Sequence, residues 1–307
     1  MICGYWQNPW SLVVAKAIVS LFLYRNAPFE RGGELQKKTD EYIKLCKMNF
    51  IVTISLLITM LQVRKEKTVL LDSYFNNEYV TDSAGTQHSW HYKWDEYDNG
   101  GFSLLADVFK SHGVATKTSF ERPSRSILQQ ADIYIIVDPD IPKENPHPNY
   151  IEPQDIEAIY DWVKAGGVLV MMGNDTGNAE FDHFNLLASR FGIQFNRDSR
   201  NKVIDDHFET GAISIDNTNV IFKTAKKIYL KDISTLKITK LAKAVLTDKG
   251  DVIMAIAKVG KGTVFAVGDP WLYNEYTDGK KLPSDYENYN AAKDLVNWLV
   301  RQIPVNK

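Results

Sequence analysis

Short unbroken apolar runs alternate along this chain with stretches whose apolar residues recur every three or four positions. The clearest unit spans residues 167–192. Val168-Leu169-Val170-Met171-Met172 reads as a strand buried on both faces. Gly173-Asn174-Asp175 breaks it, and a helical pattern then carries Phe181, Phe184, Leu187, Ala188 and Phe191 along one side before Gly192. Strand, polar turn, helix is the half-unit of a parallel α/β sheet. The same alternation predicts strands over 68–71, 114–120 and 133–137. It predicts helices over 102–112 and 152–165, the second with Ile156, Ile159, Tyr160 and Val163 on one side. After Phe195 the rhythm weakens into irregular segments, with short strands near 212–215 and 228–230. A meander of strands over 244–247, 252–258 and 263–267 follows, joined by turn sequences at 248–251 and 260–262. A helix over 290–302 closes the chain, apolar at Ala291, Leu295, Val296, Trp298 and Leu299. The expectation is one α/β domain over 67–307: a flavodoxin-like three-layer sandwich with a mostly parallel sheet and a small antiparallel β elaboration before the last strand.

The first sixty-odd residues do not fit that rhythm. Apolar runs at 11–24 and 50–61 fall short of the roughly 20 residues needed to span a bilayer. The second begins just after Met48 and meets a charged brake at 62–67. Residues 48–66 are therefore a candidate export signal or short anchor, with 1–47 a dispensable extension. The alternative is that all of 1–66 is an ordinary helical extension. On the first reading the protein is periplasmic or otherwise exported, and it touches a membrane only through that segment.

Composition narrows the chemistry. The chain has 307 residues, 44% hydrophobic and 24% charged, with net charge -2, so no basic field points to nucleic acid. Residues 1–47 hold seven Lys/Arg against four Asp/Glu, a net of +3, which leaves -5 for the remainder. Both cysteines, Cys3 and Cys46, lie in that first piece. A cysteine nucleophile, a Cys-type zinc site and a disulfide are thereby excluded from the main body. There is no Walker loop, GxGxxG or GxSxG, so nucleotide cofactors and serine-hydrolase chemistry have no support. His183 lacks a second His at i+4, so it is not a zincin-type site, and no metal ligand is assigned.

Four predicted strands end in acid: Asp72, Asp138 (with Asp140), Asp175 and Asp269. In a parallel sheet these share one rim, where ligands of α/β proteins bind. Asp after a strand is also ordinary turn chemistry. Four together, beside Asn174, Asn178 and Asn274, make a candidate polar pocket in which repulsion raises at least one carboxyl. Trp90 and Trp94 in the first long loop, with Asp95, and Trp271 and Tyr273 in the last would add aromatic and polar contacts of the kind a sugar accepts. For catalysis the candidates are Asp175 or Asp269 as base, with Glu275 or His91 as acid or orienting group. The ligand-contact candidates are Asp72, Trp94, Asp95, Asp138, Asn174, Asn178, Trp271 and Asn274. His183, three residues after Glu180, reads as helix-surface polarity.

The segments LDSYFNNE (71–78), HYKWDEYDNGGFS (91–103), VDPD (137–140), GGVLVMMGNDTGNAEFDHFN (166–185) and AKVGKGTVFAVGDPWLYNEY (257–276) resemble a Bacteroidetes α/β domain of unsettled function. That family looks like the class I glutamine amidotransferase fold without its catalytic Cys. It occurs alone or alongside unsaturated rhamnogalacturonyl hydrolases that act on pectin fragments. The resemblance covers most of 68–307 and none of 1–47. It implies a carbohydrate ligand, a pectin fragment, and a glycoside hydrolase as a candidate partner. It does not transfer the hydrolase's catalytic residues, because that enzyme is a helical barrel. Three functions stay open: a carbohydrate-binding or accessory domain, a hydrolase using carboxylate-activated water, and a non-catalytic assembly domain whose rim is filled by its own loops.

Overall fold

The computed structural model describes residues 40–48, 50 and 66–304. Its contacts divide the chain into two units, 1–65 and 66–307. In the first, residues 40–48 are helical and exposed, and Cys46 is a free thiol. Most of the expected extension (1–47) and of the signal or anchor segment (48–66) lies outside the described residues. Among the described residues no helix is long and apolar enough to cross a membrane.

In chain order the second unit begins with β1 (Lys67–Asp72), an exposed hairpin of β2 (Tyr79–Thr81) and β3 (Gln87–Ser89), then α1 (Ser103–Ser111) and β4 (Val114–Ser119). It continues through α2 (Arg125–Leu128), β5 (Ile133–Val137), α3 (Pro153–Lys164), β6 (Val168–Met172) and α4 (Phe181–Ser189). The elaboration comprises β7 (Ile193–Phe195), a 3-10 turn (Phe208–Gly211), β8 (Ala212–Ser214), β9 (Lys227–Tyr229), β10 (Leu236–Ile238), β11 (Ala242–Asp248) and β12 (Asp251–Val259). Then come β13 (Gly262–Val267), α5 (Asn274–Thr277) and α6 (Asn288–Gln302).

Five strands run parallel in the order β4-β1-β5-β6-β13. Numbered among themselves they read 2-1-3-4-5, the flavodoxin-like winding. The fold is therefore the expected flavodoxin-like three-layer sandwich with a mostly parallel sheet. Beyond β13 the sheet continues antiparallel through β12, which pairs with β11 and β10, and β10 pairs with β7.

Alternation within the apolar runs makes the two cores. In β6, Val168, Val170 and Met172 face one side with Leu105, Phe109, Leu295 and Leu299 of α1 and α6. Leu169 and Met171 face the other with Ile159, Val163, Phe184 and Leu187 of α3 and α4. A strand feeding both cores reads as a continuous apolar run, which is why these strands were legible. The hairpin β2–β3 and the short strands β7 and β10 were not. Each is only three residues long, as are β8 and β9, which the sequence did place.

Candidate functional site

Because β1, β5, β6 and β13 are parallel, Asp72, Asp138, Asn174-Asp175 and Asp269 emerge on one edge of the sheet. That edge divides into a half filled by the protein's own loop and a half where Lys231 and Asp232 are half-buried.

The closed half lies over β1 and β5, at the winding's switch point, where ligands of this fold class usually sit. Asp72 is 1% exposed and takes the Phe75 and Tyr74 amides on Oδ1 at 2.7 and 3.1 Å, while the Tyr134 hydroxyl donates to Oδ2. Burial pushes its carboxyl up to about 6 against those stabilising bonds. The Asn76 amide donates to the Asp138 carbonyl at 2.9 Å, and Lys93 Nζ donates to Asn76 Oδ1 and O at 2.6 and 2.9 Å. Lys93 is itself buried, and desolvation lowers its ammonium to about 8. Asp138 Oδ2 accepts from Tyr92 Oη at 3.1 Å and Asn174 Nδ2 at 2.8 Å, but its Oδ1 has no partner. Burial therefore drives Asp138 well toward its neutral form. Asp140, with its Oδ2 on the Asn77 amide and Asn145, behaves alike and rises to about 6.

The plug that fills this half comes from residues 78–102. His91 and Tyr92 both adopt left-handed backbone (φ 66° and 59°), as does Asp138 (φ 42°), conformations that non-glycine residues hold only when packing over-determines them. Trp90, His91 and Tyr92 stack as three rings, 4.5 and 4.0 Å between successive centroids. Gly101 lets the loop close: a Cβ there would stand 2.0 Å from the Glu96 carbonyl oxygen. Asn274 fastens it: its Nδ2 has Glu96 O (3.1 Å), Asp98 O (2.9 Å) and Ser103 Oγ (2.9 Å) within reach, and its Oδ1 accepts from the Leu104 amide (3.1 Å).

The second half lies over β6 and β13. Asp269 is 4% exposed, and the Trp271 amide favours its charged form. Burial holds it well above the usual carboxylate range, Lys231 opposes that, and Asp232 and Asp175 reinforce it. Asp175, also buried, takes Asn178 Nδ2 at 2.5 Å. Lys231 and Asp232 are half-buried and, among the described residues, neither makes a side-chain hydrogen bond or ion pair. Lys231 Nζ lies 5.8 Å from the Tyr276 ring centre. Tyr273 and Tyr276 pack at 4.9 Å beside them. Gly268 admits this loop, since a Cβ there would sit 1.8 Å from the Ser234 carbonyl oxygen.

The structure thus brings Asp175, Asn178 and Asp269 to one corner, and Asp138 and Asn174 to the neighbouring network. Other expected residues go elsewhere. Trp271 is fully buried against Phe222 in the core, so no ligand reaches it. Trp94 is also core, packed on Phe102 and Phe109 with its indole N–H on the Lys117 carbonyl at 3.0 Å. Both were expected to overhang the rim, but the loops fold their rings inward, where the larger apolar area is hidden. Asn274 is a loop clip rather than a ligand contact, and Asp72 serves its own turn. His91 pairs with Glu78 at 3.3 Å and Glu275 with Lys281, so neither stands as acid beside Asp175 or Asp269. Asp95 is exposed at a small groove beside β4. Sequence reasoning missed Lys231 and Asp232, although Asp232 obeys the same acid-after-strand rule behind β9. Among the described residues no three His, Cys, Asp or Glu side chains are grouped to hold a metal ion.

A second cavity, about 400 Å³, opens beside the N-terminus of α4. Ile141, Pro142, Tyr150, Thr176, His183 and Arg197 are among the residues that line it.

A family model described as a domain of unknown function, DUF4350, matches residues 96–277. No curated protein sequence matches significantly. Among solved structures, the mmIFT52 N-terminal domain is similar with TM-score 0.57 and 18% identity, over 76% of this chain and 97% of that one. A cytoplasmic protein, STM1381 from Salmonella typhimurium LT2, is similar with TM-score 0.52 and 16% identity, over 78% of this chain and all of that one. At such identities the likeness is one of fold alone.

Proposed function

This chain belongs to the DUF4350 family, and we propose that it is a carbohydrate-handling domain, accessory to pectin (rhamnogalacturonan) breakdown, whose ligand meets the corner of Asp175, Lys231, Asp232, Asp269 and Tyr273. One observation carries this reading. At the switch point Asp72, Asp138 and Asp140 each already take donors from the protein's own loops, whereas at this corner, among the described residues, the Lys231 and Asp232 side chains make no hydrogen bond and stand beside tyrosine rings. A sugar supplies what such a corner lacks: hydroxyls for the charged groups and C–H faces for the rings. The resemblance to domains that accompany rhamnogalacturonyl hydrolases supports pectin as the source, and an exported location beside such a glycosidase goes with it. Titrating the full chain with rhamnogalacturonan oligosaccharides in a calorimeter tests the reading. Binding that weakens about tenfold or more in Asp232→Asn and Asp269→Asn is expected. No heat with any pectin fragment, at concentrations able to detect about millimolar affinity, overturns it.

A second reading draws on the pairing of Asp269 with Asp175. A buried carboxyl held toward its neutral form beside a second carboxyl suits general acid and base roles on a glycosidic bond. A screen on unsaturated pectin disaccharides and on acetylated or methylated oligosaccharides addresses it. Turnover that falls about 100-fold in Asp175→Asn or Asp269→Asn supports a hydrolase. Turnover that survives both places the chemistry elsewhere.

A further inference from the structure

Resting on the carbohydrate reading, we propose that the cleft beside α4 is a second sugar subsite, so that the ligand is an oligosaccharide laid across the turn between Asn174 and Glu180. The cleft, about 400 Å³, falls within the range of small-ligand sites, about 300–1,000 Å³. Its walls differ in character. Ile141, Pro142 and Tyr150 offer apolar surface, and the Tyr150 ring is braced by stacking on His183 at 4.8 Å and 22°. The same lining holds Thr176, Asp182 and Arg197, short and long hydrogen-bonding groups. An apolar plane edged by donors and acceptors matches a pyranose, which has one C–H face and a ring of hydroxyls.

The electrostatics favour a neutral sugar unit over a free anion. The positive end of α4 is already occupied: Glu180 Oε1 accepts the Asp182 amide at 2.8 Å, and Oε2 accepts the His183 amide at 3.0 Å. Arg197 is likewise paired with Asp182, in an exposed ion pair that a hydroxyl can share at little cost.

Continuity with the first corner comes from the turn itself. Asp175 faces Asn178 and Asp269, whereas the next residue, Thr176, lines the cleft. Consecutive Cα atoms lie only ~3.8 Å apart. Gly177, the next residue, also lines the cleft, and nothing lies within 4 Å of its side-chain position. On this proposal a chain of sugars crosses at that turn.

The test is calorimetry of the full chain with a galacturonate–rhamnose disaccharide and with its tetrasaccharide and hexasaccharide homologues. The tetrasaccharide is expected to bind about tenfold more tightly than the disaccharide. Tyr150→Ala and Arg197→Ala should each shrink that advantage to about threefold or less while leaving disaccharide affinity unchanged. Arg197 is exposed, so its variant stays folded even if Tyr150→Ala does not. Equal affinity for both lengths in the unaltered chain, or an undiminished advantage in Arg197→Ala, overturns the second subsite. If the disaccharide still binds and Asp269→Asn abolishes that binding, the carbohydrate reading stands without it. If no sugar binds at all, both fall together.

Discussion

Replacing Asn274 by Ala decides whether this residue is a clip or a ligand contact. Its side chain is 5% exposed; its Nδ2, with two hydrogens to donate, has Glu96 O, Asp98 O and Ser103 Oγ within reach, and its Oδ1 accepts from the Leu104 amide. A net hydrogen bond contributes about 1 kcal/mol, and a buried partner left unpaired costs about 1–3 kcal/mol. Asn274→Ala should therefore destabilise the protein by about 3–4 kcal/mol. At about 2–4 °C per kcal/mol for a domain of this size, melting should fall on the order of ten degrees. Asn274→Asp should be at least as harmful, because a carboxylate has no hydrogen to donate to those acceptors. Hydrogen exchange adds a local readout: amides around 99–104 should lose protection before the sheet does. Melting within about two degrees of the unaltered protein, or sugar binding lost from a variant of unchanged stability, would refute the clip.

Asp72 makes stability depend on pH. Its carboxyl sits at about 6 when folded against 3.8 when free, so between those values the native state holds more protons and stability falls as pH rises. The loss amounts to at most about 3 kcal/mol. Asp72→Asn keeps an acceptor for the Phe75 amide and should flatten denaturant-derived stability between pH 4 and 6; an unchanged slope counts against it. Trp271→Ala should cost about 3–5 kcal/mol. Its indole N–H has no partner, so Trp271→Phe should cost far less, and equal losses on denaturant unfolding would contradict that. Gly101→Ala drives a Cβ toward the Glu96 carbonyl and should destabilise by about 1–3 kcal/mol or more, with faster proteolysis within 90–102; normal protease resistance would argue against the close approach.

The architecture was legible in the sequence because burial on both faces imposes a simple code. Runs such as Val168–Met172 and Ile133–Val137 have no polar position to spare, and the 3.6-residue stripes of α3 and α4 each mark a single covered face. Parallel strands then oblige the acids that follow them to share an edge, so Asp72, Asp138, Asp175 and Asp269 could be placed before any coordinates. What those acids do was decided only in three dimensions. Residues 78–102 have no period that says which ring turns inward, and the preference of Trp94 and Tyr92 for the core emerges only from cavities built by distant helices. Whether a strand-end carboxylate is spent or free depends on partners far along the chain: Tyr134 for Asp72, 62 positions away, and Asn174 for Asp138, 36 away. Lys231 and Asp232 reach the rim because Ser234 docks against Gly268, 34 positions on. Local sequence specifies local conformation, but hydrogen-bond partners chosen across the fold settle which polar groups remain for a ligand.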